Sequence, residues 1–160
     1  MGTNVEKVMS VTQSKIEGVR ITPLKEIADD RGAVLHMLRC DSQNFNKFGE
    51  CYFSEVFSGA VKAWKKHTIQ TQNIAVPVGR IKLVIYDSRE ESPTKGNLLV
   101  LELGRPDSYN RIMIPPQLWY GFSCISKITA LLVNCADLPH SKMESELKEV
   151  TDSFIPFSWI

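Results

Sequence analysis

The chain has 160 residues, of which 43% are hydrophobic and 23% charged, and a net charge of +1. That length supports one domain able to bury roughly 70% of its extended surface, and the near-neutral charge offers no field to hold nucleic acid. No apolar run approaches the roughly 18 residues of a membrane span, and no basic region precedes an apolar block at the N-terminus, so neither a membrane partner nor a secretory leader is expected.

The first 15 residues are mixed and polar and read as a loosely ordered extension; residues 16–160 read as a single domain. Val19 to Leu24 is a β-branched run, followed by the turn Asp29-Asp30-Arg31-Gly32 and a strand from Ala33 to Leu38. Ser42 to Phe48 is a short helix-like stretch. Cys51 to Phe57 sets Tyr52, Ser54 and Val56 against Phe53, Glu55 and Phe57, the two-residue period of a strand. Gly59 marks a turn into a strand that begins over Ala60 to Lys65. From Asn73 to Asp87 two strands meet at Val78-Gly79-Arg80, with Pro77 expected at an edge, a strand end or a bulge because it cannot donate to a ladder. Ser88 to Asn97 reads as a loop, and Leu98–Leu103, Arg111–Ile114 and Ile128–Ala136 as further strands. Ser141 to Val150 carries good helix formers and a Ser-x-x-Glu pattern at Ser141 and Glu144, which predicts a capped helix. Many short strands with one or two short helices predict an all-β double sheet or barrel.

Cys40, Cys51, Cys124 and Cys135 form no Cys-x-x-Cys pair. With Cys124 and Cys135 in apolar surroundings, reduced thiols in a cytoplasmic protein are expected. His36, His67 and His140 are the three histidines, with no His-x-His pair to begin a metal site.

Four segments occur in order between Val19 and Trp159: Asp29-Asp30-Arg31-Gly32; Gly59-Ala60-Val61-Lys62-Ala63-Trp64-Lys65-Lys66-His67 leading to Val78-Gly79 and Tyr86-Asp87; Ile114-Pro115-Pro116-Gln117-Leu118-Trp119-Tyr120-Gly121-Phe122; and the ending from Asp152. Together they make the chain resemble the dTDP-4-dehydrorhamnose 3,5-epimerase family and its shorter relatives. The resemblance implies a cupin-type double-stranded β-helix (a jelly-roll barrel), a homodimer without metal or cofactor, and a nucleotide-sugar substrate that is dTDP-linked. It also implies a site at one end of the barrel to which the neighbouring subunit contributes nucleotide contacts.

The family reaction removes a proton beside a ketone and returns one to the opposite face. It needs a base, an acid across the ring, and positive charge near the ketone oxygen. Carried over by position, Lys62 and Arg31 match phosphate-contacting arginines, and Asp152 matches the aspartate of the family's His–Asp base. Lys65 stands at the base histidine and Val133 at the acid tyrosine. Tyr120 replaces a histidine of the proline-rich motif, Gln72 lies near a ketone-polarising lysine, and His67 matches a second histidine of the shorter branch. The expected catalytic set is therefore Lys65, Asp152, Tyr120 and His67, with Arg31, Lys62, Gln72 and Trp119 binding substrate. Lys65 would serve as a base if desolvated beside Asp152, or would polarise the ketone while His67 or Tyr120 moves the proton.

Most of these residues also have a plainer reading, Arg31 least of all, because a polar turn has little need of an arginine beside two aspartates except for pairing or phosphate contact. Lys65 and Asp152 suit an ordinary ion pair, His67 a hydrogen-bonded barrel position, and Trp64 and Trp119 an aromatic core. The expected function is an epimerase or ketoisomerase in surface polysaccharide or deoxysugar biosynthesis. The alternatives are a catalytically divergent nucleotide-sugar or carbohydrate-binding cupin, and a scaffold for another sugar-modifying enzyme.

Overall fold

The computed structural model describes residues 15–160, so the expected N-terminal extension lies outside the described residues apart from Lys15. In chain order the strands are β1 (Arg20–Pro23), β2 (Glu26–Asp29), β3 (Gly32–Leu35), β4 (Glu50–Val56), β5 (Val61–His67), β6 (Gln72–Val78), β7 (Arg80–Tyr86), β8 (Leu98–Gly104), β9 (Asn110–Ile114), β10 (Trp119–Cys124), β11 (Ala130–Ala136) and β12 (Ser145–Leu147). One sheet runs β1-β9-β6-β11-β4 and the other β12-β5-β10-β7-β8, while β2 and β3 form a separate hairpin. The two five-stranded antiparallel sheets face each other as a jelly roll.

Alternation explains which side chains meet between the sheets. From the first sheet Ile21, Val56, Ile74, Val76, Ile112, Ile114 and Leu132 point inward. They pack against Ile81, Leu83, Ile85, Leu99, Leu103, Tyr120 and Phe122 of the second. The run Leu83-Val84-Ile85 lacks polar alternation because the second sheet is covered on both faces. Val84, Trp64 and Trp119 form a second cluster with Ile155, against which Phe157 and Trp159 of the C-terminal arm pack. Ring centroids of Trp64 and Trp159 lie 5.2 Å apart, and those of Phe157 and Trp159 4.9 Å.

Two register shifts matter. In β6, Leu131 pairs with Val78 and Val133 with Ala75, so Pro77 falls in the irregular stretch, where its missing donor leaves no gap in the ladder. In β5, Tyr120 pairs with Lys65 and Phe122 with Lys62, so Ala63 and Trp64 together stand opposite Gly121.

The expected helices do not form. Residues 42–44 make a turn and 45–48 are irregular, and the 141–150 segment makes a turn followed by β12, which pairs Ser145, Glu146 and Leu147 with His67, Lys66 and Lys65. The local capping pattern yields to a tertiary one, because the Glu144 carboxylate is drawn inside the protein and accepts donors from His67, Ile69 and Gln70.

The loop after β7 is held by another buried carboxylate. Asp87 accepts from Arg89, Ser92 and Thr94, and Arg89 also donates to the Glu17 carbonyl at 2.7 Å. Burial raises the Asp87 pKa, but these donors outweigh it and hold the carboxyl well below its usual range.

The bulge opposite Gly121 tolerates no side chain there: an added Cβ would lie 2.5 Å from Ala63 Cβ and 3.1 Å from the Trp159 ring. Gly121→Ala is expected to destabilise the protein by about 1–3 kcal/mol in urea titrations. Ala63→Gly in the same chain should recover part of the loss, because it removes the closest atom.

Candidate active site

A cavity of about 700 Å³ opens between the two sheets. The first sheet contributes Tyr52, Ser54, Ile74, Leu132 and Asn134. The second contributes Lys62, Lys65, Tyr120 and Phe122, and the segment around β12 closes the rim with Lys148, Glu149 and Asp152. The β5 bulge creates this arrangement. Lys62 and Lys65 are three residues apart and would face opposite ways in a regular strand, but the extra residue returns Lys65 to the face of Lys62. Lys62 Nζ donates to Ser54 Oγ at 3.0 Å and to the Glu55 carbonyl at 2.7 Å, which ties the two sheets at the cavity wall.

Behind Lys65 lies a hydrogen-bonded chain of three groups. His67 Nδ1 is 2.7 Å from Glu144 Oε2, and His67 Nε2 is 3.1 Å from the Tyr120 hydroxyl. Glu144 Oε1 accepts the backbone N–H groups of Ile69 (3.1 Å) and Gln70 (2.9 Å). His67 and Glu144 are each only 5% exposed. Burial lowers the His67 pKa more than the Glu144 carboxylate raises it, and the charge of Lys65 also lowers it, so the imidazole is neutral at pH 7. For Glu144, burial acts upward, but the donors of His67, Gln70 and Ile69 prevail and the carboxyl stays ionised. A neutral imidazole that gives its Nδ1 hydrogen to a carboxylate has a lone pair at Nε2. The Tyr120 hydroxyl therefore donates to Nε2. Burial, with smaller contributions from Tyr52 and Glu144, raises the Tyr120 pKa far above that of an ordinary phenol. The arrangement can take a proton at the cavity wall and pass it inward to an imidazole backed by an anion.

On the facing wall, Asn134 Nδ2 donates to the Tyr52 hydroxyl at 2.9 Å and to Gln72 Oε1, while Asn134 Oδ1 accepts the Asn73 N–H at 3.3 Å. Gln72 Nε2 donates to Gln70 Oε1 at 3.0 Å, and Gln70 Nε2 to the carbonyls of Leu138 and Pro139.

The structure thus brings Lys62, Lys65, Tyr120 and Asp152 to one cavity and places His67 directly behind Tyr120. Lys65 and Asp152 share the cavity without an ion pair between them; Asp152 Oδ1 accepts the Phe154 N–H at 2.9 Å. Three expected substrate-binding residues do not reach the wall. Gln72 is engaged with Gln70 and Asn134. Trp119 lies on the outer face under the C-terminal arm, with Lys66 and Lys148 over its ring. Arg31 sits at the exposed hairpin turn, paired with Asp29 at 2.7 Å. Val133 lies between Leu132 and Asn134, both of which line the cavity, so alternation turns it outward.

Sequence reasoning missed Glu144, Tyr52 and Asn134. Among the described residues no three His, Cys, Asp or Glu side chains converge in a metal-binding cluster, and no helix is long and apolar enough to cross a membrane.

A family model described as dTDP-4-dehydrorhamnose 3,5-epimerase matches residues 13–160. The probable low-salt glycan biosynthesis epimerase Agl13 of Haloferax volcanii is 36% identical over 121 residues, which cover 74% of this chain and 77% of that protein. The spore coat polysaccharide biosynthesis protein SpsL of Bacillus subtilis is 27% identical over 146 residues, 90% of this chain and 96% of its own. The crystal structure of a dTDP sugar isomerase from Desulfovibrio desulfuricans G20 matches with a TM-score of 0.89 and 52% identity, covering 91% of this chain and 92% of that one.

Both oxygens of Glu144 accept hydrogen bonds, whereas an amide has only one acceptor. Glu144→Gln is therefore expected to cost about 1–3 kcal/mol at neutral pH, read from urea midpoints. The folded-state pKa of Glu144 lies below its ordinary 4.5, so the carboxylate stabilises above that pH and the benefit is lost as pH falls through the folded value. The gap between wild type and variant should narrow over that acid range. Wild type should already weaken below the ordinary His67 value of 6.5, where the unfolded chain binds a proton that the folded one refuses.

Proposed function

The chain belongs to the dTDP-4-dehydrorhamnose 3,5-epimerase family, and on that premise we propose that it epimerises a dTDP-linked 4-keto-6-deoxy sugar at a carbon beside the ketone, in surface polysaccharide or glycan synthesis. The observation that carries this reading is the Glu144–His67–Tyr120 chain, which reaches a cavity wall that also bears Lys65.

In this reading Tyr120 Oη takes the substrate proton while its own passes to His67 Nε2, and Glu144 neutralises the imidazolium that forms. The Lys65 ammonium faces the ketone oxygen and stabilises the enolate. Asp152 balances that charge from the rim. Lys62 binds the pyrophosphate from within the barrel. Arg31, on its projecting hairpin, reaches the nucleotide in the neighbouring subunit's cavity. Gln72 acts through Asn134, and Trp119 anchors the arm that carries Asp152. The reaction needs no metal or cofactor, because an enolate beside a ketone requires only proton transfer and positive charge. The protein works in the cytoplasm, where nucleotide sugars are made and thiols stay reduced.

A homodimer is supported by the outer face of the first sheet, where Phe53 and Phe57 are 67% and 68% exposed near Val78. Phe53→Glu should shift the protein from dimer to monomer in size-exclusion chromatography with light scattering.

The decisive test is incubation with dTDP-4-keto-6-deoxyglucose in heavy water. Wild type should place deuterium beside the ketone. Lys65→Met should slow that exchange by about 100- to 1,000-fold while leaving dTDP binding nearly intact. Full exchange by the variant would remove Lys65 from the mechanism, and dTDP binding by wild type without exchange would favour a binding cupin.

A further inference from the structure

Inversion at carbon needs a second proton-bearing group, on the side of the ring away from the base. Tyr120 and its His67–Glu144 support occupy the wall made by the second sheet. The facing wall offers Tyr52, Ser54, Ile74, Leu132 and Asn134. Ile74 and Leu132 carry no transferable proton, an amide such as Asn134 is not an acid at neutral pH, and Ser54 is a far weaker acid than a phenol and is held by Lys62. Tyr52 is the group that remains.

Its surroundings suit a donor. Asn134 is oriented by the Asn73 N–H on its Oδ1, and its Nδ2 gives one hydrogen to Gln72 and the other to Tyr52 Oη. The phenol oxygen therefore receives a hydrogen bond from behind, leaving its own O–H to point into the cavity. Tyr52 is 39% exposed, at the mouth rather than in the core, so it can recover a proton from solvent. Burial raises its pKa more than the Asn134 hydrogen bond lowers it, so the phenol arrives protonated.

We infer that Tyr52 is the catalytic acid of this epimerase, delivering a proton to the face of the sugar opposite Tyr120. The inference rests on the proposed epimerase reading. The C–H bond beside the ketone breaks; its proton goes to Tyr120 Oη and Tyr120's own to His67 Nε2, while the electron pair forms the enolate. The enolate carbon then takes the Tyr52 hydroxyl proton on the opposite face, restoring the ketone and leaving a tyrosinate. Solvent reprotonates Tyr52 through the mouth; once product leaves, His67 gives its proton back to Tyr120, whose own proton passes to solvent in the cavity. One C–H bond breaks, one forms, and no oxidant is consumed.

The test compares wild type with Tyr52→Phe on dTDP-4-keto-6-deoxyglucose in heavy water, following deuterium uptake and ring configuration by NMR. Phe keeps the ring and removes only the hydroxyl, and a urea midpoint matching that of wild type would confirm the fold. The expected result is a loss of inverted product by at least about 100-fold, with deuterium still entering the recovered, uninverted substrate within about tenfold of the wild-type rate. Inversion by Tyr52→Phe at the wild-type rate would overturn the inference, as would equal loss of exchange and inversion, which would assign the phenol to proton abstraction or to structure. Wild type that neither exchanges nor inverts would overturn the epimerase reading itself, and the inference with it.

Discussion

Two residues of β5 stand opposite one glycine of β10, and the chemistry of the cavity depends on that mismatch. Without the extra residue, the alternation that turns Lys62 inward would turn Lys65 out, and His67 with it. With it, Lys62, Lys65 and His67 all face the barrel, while Ala63 and Trp64 pack outward under Phe157 and Trp159. Gly121 allows this because Ala63 occupies the space a side chain would fill. The outer cluster is therefore part of the site: the aromatic arm that covers Trp64 also holds the bulge in register.

The second constraint is electrostatic. Burying a carboxylate is unfavourable unless its acceptors are filled. Glu144 meets that condition with three donors from a strand and the loop after it, and the same contacts fix the histidine tautomer. Lys65 on one side and burial on all sides oppose an imidazolium, and Glu144 favours it. The balance leaves His67 neutral at rest and able to accept a proton when one arrives through Tyr120. A fully exposed His–Glu pair would lie nearer its unperturbed pKa and would compete with water for the same proton.

The strands were legible because alternation records a sheet with one wet face. The central run of β7 was legible for the opposite reason, its continuous apolar character marking a strand covered on both sides. The 141–150 segment misled because a Ser-x-x-Glu pattern speaks only of local partners, whereas the partners of Glu144 lie more than seventy residues away in sequence. Lys62, Lys65 and Lys66 stand out in the sequence as a local basic cluster, but the roles of Lys62 and Lys65 come from family resemblance, since their spacing argues against a shared face until the bulge is known. Tyr52 gave no signal: in Cys51–Phe57 it looks like any aromatic of an alternating strand, and its significance comes from the register that sets it beside Asn134.

That register also bears on position 133, where the family resemblance leads one to expect a tyrosine and this chain has Val133. Val133 and Asn134 are neighbours on β11, and by alternation only Asn134 faces the cavity, so a phenol at 133 in this register would project toward Phe53 and Ala75 on the outer face. Tyr52 is the direct partner of Asn134 on the adjacent strand, and paired residues in an antiparallel ladder lie about 4.5–5.5 Å apart with side chains on one face. The Asn134 amide, fixed by Gln72 and the Asn73 N–H, then occupies the gap between the two strand positions and holds the phenol from behind. In this register a phenol reaches the cavity from position 52 on β4 and not from position 133 on β11.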